Sequence, residues 1–167
     1  MAMLVAVSIV LVMIIHFPIF PAVAFLEYDP ADIPILIGTF AFGPLAGIVL
    51  TVVTSLIQGL TVSAASGVYG IIMHIIATSA LVLVAGTIYR RNKTKKSAVI
   101  GLIAGTAAMA VVMFFANMLI TPAFTGMPLA GVMNLMPFII LFNIVKAGIN
   151  SVVTFLLYKR ISPFLHK

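Results

Sequence analysis

Carboxylates are the scarcest chemistry in this chain: Glu27, Asp29 and Asp32 are its only acids, they share one short stretch, and none follows Asp32. Cysteine is missing altogether. Without thiols there are no disulfides, thiolate nucleophiles or cysteine metal sites, while the redox compartment stays open. Without later acids, the segments beyond Asp32 hold no obvious proton relay. A G-x-x-x-x-G-K-[ST] phosphate loop is also lacking, so the chain does not encode ATP hydrolysis, and uphill movement of a cargo needs energy from another subunit. An enzyme reading finds no Ser/His/Asp set at plausible depth, no His/Asp metal cluster and no acid paired with a base across the helices. Charged residues make up only 7% of the chain against 63% hydrophobic ones. Such a composition cannot present a wetted surface around one core, and it predicts a membrane protein. At about 20 apolar residues per crossing, the 167 residues permit roughly five or six spans and no soluble catalytic domain.

The charges that are present are mostly basic, nine in all for a formal net charge of +6. Their clustering speaks against a general nucleic-acid patch: five fall in "RRNKTKK" (Arg90 to Lys96) and three in the C-terminal "YKRISPFLHK". Both stretches are assigned to the cytoplasmic side, because lysine and arginine accumulate there. Glycine, proline and charge divide the rest into six apolar segments at about 2–18, 31–42, 44–62, 67–90, 96–121 and 135–160. The expected fold is an all-α integral membrane six-helix bundle, a single transmembrane domain over 1–167, with both termini cytoplasmic. The second helix is too short to span alone. It holds Pro34 and Gly38 and ends at Gly43-Pro44, which predicts a tight joint to the third. The run from Met3 to Ile15 lacks a preceding basic region and a cleavage site, so it reads as a first spanning helix, not a signal peptide.

Within the sixth segment, "LFNIVKAGIN" places Asn143, Lys146 and Asn150 at i, i+3 and i+7, one stripe of a helix. Counted from Leu135 at 1.5 Å per residue, Lys146 lies roughly 16 Å along, near the midplane. A lysine at that depth costs about 2.5–3.5 kcal/mol on insertion scales, so it needs a partner. A helix carbonyl or Asn117 would make it a structural knot; a ligand is the favoured reason. Asn117, at a depth similar to Asn143, brackets a pocket with it in this reading. Paired amides suit a flat heterocycle whose edge alternates carbonyls and N–H groups, although a helix-to-helix hydrogen bond explains Asn117 nearly as well. His74 and His16 have no acid or second histidine at metal-ligand spacing, and a structural role outranks pocket lining for both. Gln58 and Tyr69 read as interfacial anchors at helix ends. Two small-xxx-small pairs, Ala2 with Ala6 and Gly43 with Gly47, read from their spacing as internal helix packing.

The run "FLEYDPADIPILIGTFAFGPLAG" (Phe25 to Gly47), followed by Asn117 and Asn143-x-x-Lys146, resembles the S components of energy-coupling factor (ECF) vitamin transporters, the riboflavin family in particular. The resemblance implies a membrane subunit that captures riboflavin from outside and docks on a transmembrane coupling protein driven by two ABC-type ATPases. Riboflavin is then cargo, with no cofactor. By the same resemblance the pocket comprises the first outer loop and the outer halves of helices four to six, with Asn117, Asn143 and Lys146 on the ring system. Asp29, Thr39, Phe42 and His74 complete the candidate set. The loop at about 122–134, with Pro122, Gly126, Pro128 and Gly131, is implied as the gate, and Ala2 and Ala6 as the contact with the coupling protein, with a few residues expected to precede them. One departure is the third helix, "TVVTSLIQGLTVS", which lacks the acid and Lys-Asn pair that the family often carries there. It leaves open another vitamin or nucleobase-like cargo, such as a queuosine precursor. A structural or assembly subunit is the reading of a different class.

Overall fold

The computed structural model describes residues 1–165; the last two positions of the C-terminal basic stretch, 166 and 167, lie outside the described residues. Six α-helices follow one another: α1 (Ala2–Ile14), α2 (Asp32–Phe42), α3 (Pro44–Leu60), α4 (Gly67–Arg91), α5 (Lys95–Thr125) and α6 (Leu129–Leu165). Among the described residues only α4, α5 and α6 combine the length and hydropathy to cross a membrane, the last over Leu129–Tyr158. The 13 residues of α1 reach about 20 Å, short of the ~30 Å hydrocarbon layer, so the expected first spanning helix does not cross by itself.

The helix ends follow from local chemistry. Expected to run to residue 18, α1 stops at Ile14. Pro18 lacks an N–H and biases Phe17 toward extended backbone. Phe17–Pro18 (β1) instead pairs antiparallel with Glu27–Tyr28 (β2), Phe17 opposite Tyr28. The expected first loop is therefore a hairpin. Between α2 and α3, Gly43 adopts φ 98° and Pro44 opens the next helix, a left-handed break followed by the residue best suited to a first helical position. Thr94 caps α5, accepting from the Ser97 amide at 3.2 Å.

The predicted 122–134 loop shrinks to residues 126–128. Pro122 stands inside α5, which ends at Gly126 with φ 69°, while Gly131 already belongs to α6. Proline is tolerated within a lipid-facing helix where neighbouring groups take up the freed carbonyl. The Pro128 carbonyl accepts the Gly131 and Val132 amides and starts α6.

The helices approach through glycines. A Cβ at Gly47 would overlap Thr39 Oγ1, and one at Gly86 would stand 2.6 Å from Thr39 Cγ2. Thr39 thus plugs the seam where α2, α3 and α4 meet, its hydroxyl returned to Ile35 O at 2.8 Å. Of the Gly43/Gly47 pair, Gly47 is packed internally as its spacing implies, whereas a Cβ on Gly43 would meet nothing within 4 Å and that glycine serves the left-handed break. On α1, Ala2 and Ala6 are exposed. Two apolar clusters result. One runs through the bundle and includes Leu36, Leu81 and Met109; the other, at the hairpin end, joins Val23, Leu26 and Tyr28 to Val132, Met136, Ile139 and Phe142.

Candidate binding cavity

Residues 28–32 follow β2 into the bundle, where four helices hold them. Ser8 of α1 donates to Ala31 O at 3.1 Å. Asn150 of α6 donates to Asp29 O and to Asp32 Oδ2, both at 3.1 Å, and accepts from the Tyr28 hydroxyl at 3.0 Å. Burial, with Asp29 next to it, raises the Tyr28 phenol above its ordinary pKa, so it remains a donor. Asp29 Oδ1 accepts from the Ala31 amide at 3.1 Å. Its Oδ2 accepts from Lys146 Nζ at 2.8 Å and from Gln58 Nε2 at 3.3 Å. Lys146 and Asp29 are 5% and 4% exposed, a buried ion pair in which the carboxylate accepts three hydrogen bonds that help offset the burial of its charge. Lys146 therefore has an acid across the helices after all. The helix carbonyl and Asn117 are not its partners in the ion pair.

Asp32 forms the second knot. Its Oδ1 accepts from Thr78 at 2.7 Å, and His74 Nε2 stands 3.5 Å away. His74 Nδ1 meets Ser55 Oγ at 2.7 Å. Ser55, His74 and Asp32 thus lie in a row that the sequence did not reveal. Ser55 also donates to Thr51 O at 2.7 Å from the interior of α3, whose amides are engaged within the helix. Nothing about that serine provides an exposed nucleophile beside oxyanion donors.

These groups wall a cavity of about 90 Å³ in the hairpin half of the bundle. Phe25, Met73, Met109, Met113 and Phe142 give it apolar faces; Asn143 and Lys146 line one side, and Ser55, Gln58, Ser63 and Ser66 another. Ligand pockets commonly measure ~300–1,000 Å³, so a vitamin-sized cargo requires these walls to part.

The sequence and fold have close counterparts. Residues 1–158 match the family described as "ECF transporter, substrate-specific component". This chain belongs to the ECF S components. It is 34% identical to the riboflavin transporter RibU of Staphylococcus aureus (strain TCH60), covering 99% of this chain and 90% of the relative. It is 28% identical to the riboflavin transporter FmnP of Bacillus subtilis (strain 168), covering 93% and 86%. A solved structure, described as the S component of a bacterial ECF transporter, superposes with a TM-score of 0.84 at 35% identity, covering 99% of this chain and 95% of that one. Membership makes the chain a transporter's substrate-binding subunit, not an enzyme, in keeping with the buried Ser55.

Within this S component the predicted site residues divide. Asp29, His74, Asn143 and Lys146 line the cavity. Asn117 is buried but outside the lining: it donates to Met113 O and accepts from Thr121, both at 2.8 Å, and so caps the wall that Met113 forms. Asn143 also returns its Nδ2 to its own helix, at Ile139 O. Thr39 and Phe42 do not reach the site, because α2 runs away from it; Thr39 fills the glycine seam, and Phe42 is 60% exposed at the far end. The 126–128 linker lines none of the cavity, although Met127 packs on the hairpin cluster. Gln58 and Tyr69, read as interfacial anchors, are buried lining residues. A ring stack of Tyr69 on Phe124 at 3.9 Å and its hydroxyl on Thr121 tie α4 to α5 there. A lone glutamine near a helix end carries no signal that would have separated the two roles.

Proposed function

We propose that this chain is the membrane subunit that captures riboflavin from outside the cell and delivers it through an ATP-driven ECF complex. The observation that carries this reading is identity along almost the whole chain to proteins described as riboflavin transporters. The cavity's chemistry agrees: riboflavin has a flat apolar ring system, a polar ring edge and a hydroxylated tail, and the lining combines Phe and Met faces with amides, hydroxyls and one lysine.

Lys146 donates to a ring carbonyl or nitrogen, and Asn143 presents its carbonyl oxygen beside it. Asn117 acts one layer behind, by holding the end of α5 in register. The chain works as one transmembrane domain of a multi-pass protein in the prokaryotic cell membrane. The exposed basic turn between α4 and α5 and both termini are cytoplasmic, and the hairpin end faces out. The partners are a transmembrane coupling protein, which contacts Ala2 and Ala6, and two ABC-type ATPases. The hairpin, the turn over residues 61–66 and the 126–128 linker form the outer gate, because the cavity must enlarge to admit its cargo.

The deciding experiment is the absorbance spectrum of detergent-purified protein from ordinary cells, before and after acid denaturation. A yellow preparation that releases one equivalent of riboflavin is expected. A colourless protein that also fails to quench added riboflavin fluorescence overturns the cargo and directs attention to other heterocycles.

A further inference from the structure

The side chain of Gln58 is held at one end only. Its Nε2 donates to Asp29 Oδ2 at 3.3 Å and to Ser63 Oγ at 3.5 Å, whereas its Oε1 is enclosed and accepts from no group among the described residues. The orientation of the amide is fixed by chemistry, since an ionised carboxylate only accepts hydrogen bonds and must face the nitrogen. An enclosed acceptor without a donor is unfavourable unless a donor arrives. Gln58 lines the cavity, on the wall that also carries Ser55, Ser63 and Ser66.

From this geometry we infer that Gln58 is a specificity-determining residue whose Oε1 accepts a hydroxyl of the cargo's sugar-alcohol tail. The inference rests on the riboflavin reading above. Gln58 Nε2 and Lys146 Nζ bond the same oxygen of Asp29, so the glutamine stands next to the lysine that meets the ring edge. In riboflavin the ribityl chain leaves the ring at a nitrogen close to that edge, which brings its first hydroxyls to the same neighbourhood. Lys146 is a donor and suits ring carbonyls; Gln58 Oε1 is an acceptor and suits hydroxyls. Asp29 thereby sets the spacing between the groups that read ring and tail.

The test measures fluorescence quenching of riboflavin and of lumiflavin, the same ring with a methyl in place of the tail, on the detergent-purified protein and on Gln58→Met. The methionine keeps the length of the side chain and removes both its acceptor and the Nε2 donor to Asp29 and Ser63, and the loss of the donor is felt by both flavins. The expected result is a loss of riboflavin affinity about tenfold greater than the loss for lumiflavin, the worth of one hydrogen bond to the tail. Equal losses for both flavins overturn the inference, because they mark an effect relayed through Asp29 and Lys146. Unchanged riboflavin affinity overturns it as well. Should Gln58→Met fail to fold, the natural chain still decides: it must prefer riboflavin to lumiflavin, and equal affinities remove any tail contact. Binding of neither flavin to the natural chain defeats the cargo assignment itself, an outcome distinct from the others.

Discussion

Lys146 and Asp29 share one oxygen-to-nitrogen contact of 2.8 Å in a nearly dry site, and the energetics of such a pair are asymmetric. Removing one partner leaves the other buried and uncompensated, at about 3–5 kcal/mol, whereas removing both is often close to neutral. Lys146→Met and Asp29→Asn should each lower the melting temperature of the detergent-solubilised protein by several degrees, and the double variant should recover most of that loss. Additive losses in the double variant would deny the coupling. Riboflavin binding separates the roles: Lys146→Met should abolish it even in a folded sample, and normal binding by that variant counts against the lysine as a ligand group. At this scale the sequence was half legible. A lysine in an apolar run announces a site because its cost demands a reason. Its partner could not be read, since Asp29 lies 117 positions away in what looked like an outer loop, and no helical period links the two. Thr39 shows the converse, a polar residue whose polarity is absorbed by its own helix and whose shape fills two glycine seams.

Helices four to six were placed from hydropathy, and their boundaries moved most around the glycines and prolines of the expected 122–134 loop. Pro122 marks a loop in water but stands inside α5 here, and Pro18 ended α1 early by favouring a strand pair that two residues on each side could not advertise. The α4–α5 seam offers a test of what holds the elements. A Cβ on Gly101 would stand 2.9 Å from Ala85 O, and one on Gly105 2.8 Å from Leu81 O; both obstacles are backbone, which cannot rotate aside. Gly101→Ala and Gly105→Ala should each destabilise the bundle by about 1–3 kcal/mol, the range for overpacking. Neither glycine lines the cavity, so riboflavin affinity at low temperature should be little altered. Thermal melts with and without riboflavin check both parts, and an unchanged melting temperature would mean that the seam opens freely.

The whole molecule presents a division of surfaces. The hairpin half contains the cavity, closed by segments from four helices, while α1 turns Ala2 and Ala6 outward among exposed Met3, Val7 and Val10. Small residues on an exposed helical face allow another helix to approach closely, and in lipid that packing replaces the hydrophobic drive for association. In the proposed reading a subunit without an ATP site takes its energy from the ECF module and moves as a body against it. Binding and docking, in that reading, belong to separate faces. Ala2→Trp and Ala6→Trp each place a bulky ring on the proposed docking face, outside the cavity lining. Riboflavin quenching by the purified variants should match the unsubstituted chain, while uptake by cells carrying the complete transporter should fall to background. Uptake at normal rates would remove the α1 face from the docking surface. Loss of binding in a folded variant would show that α1 serves the pocket, through Ser8 and the segment it holds at Ala31, as much as the partner.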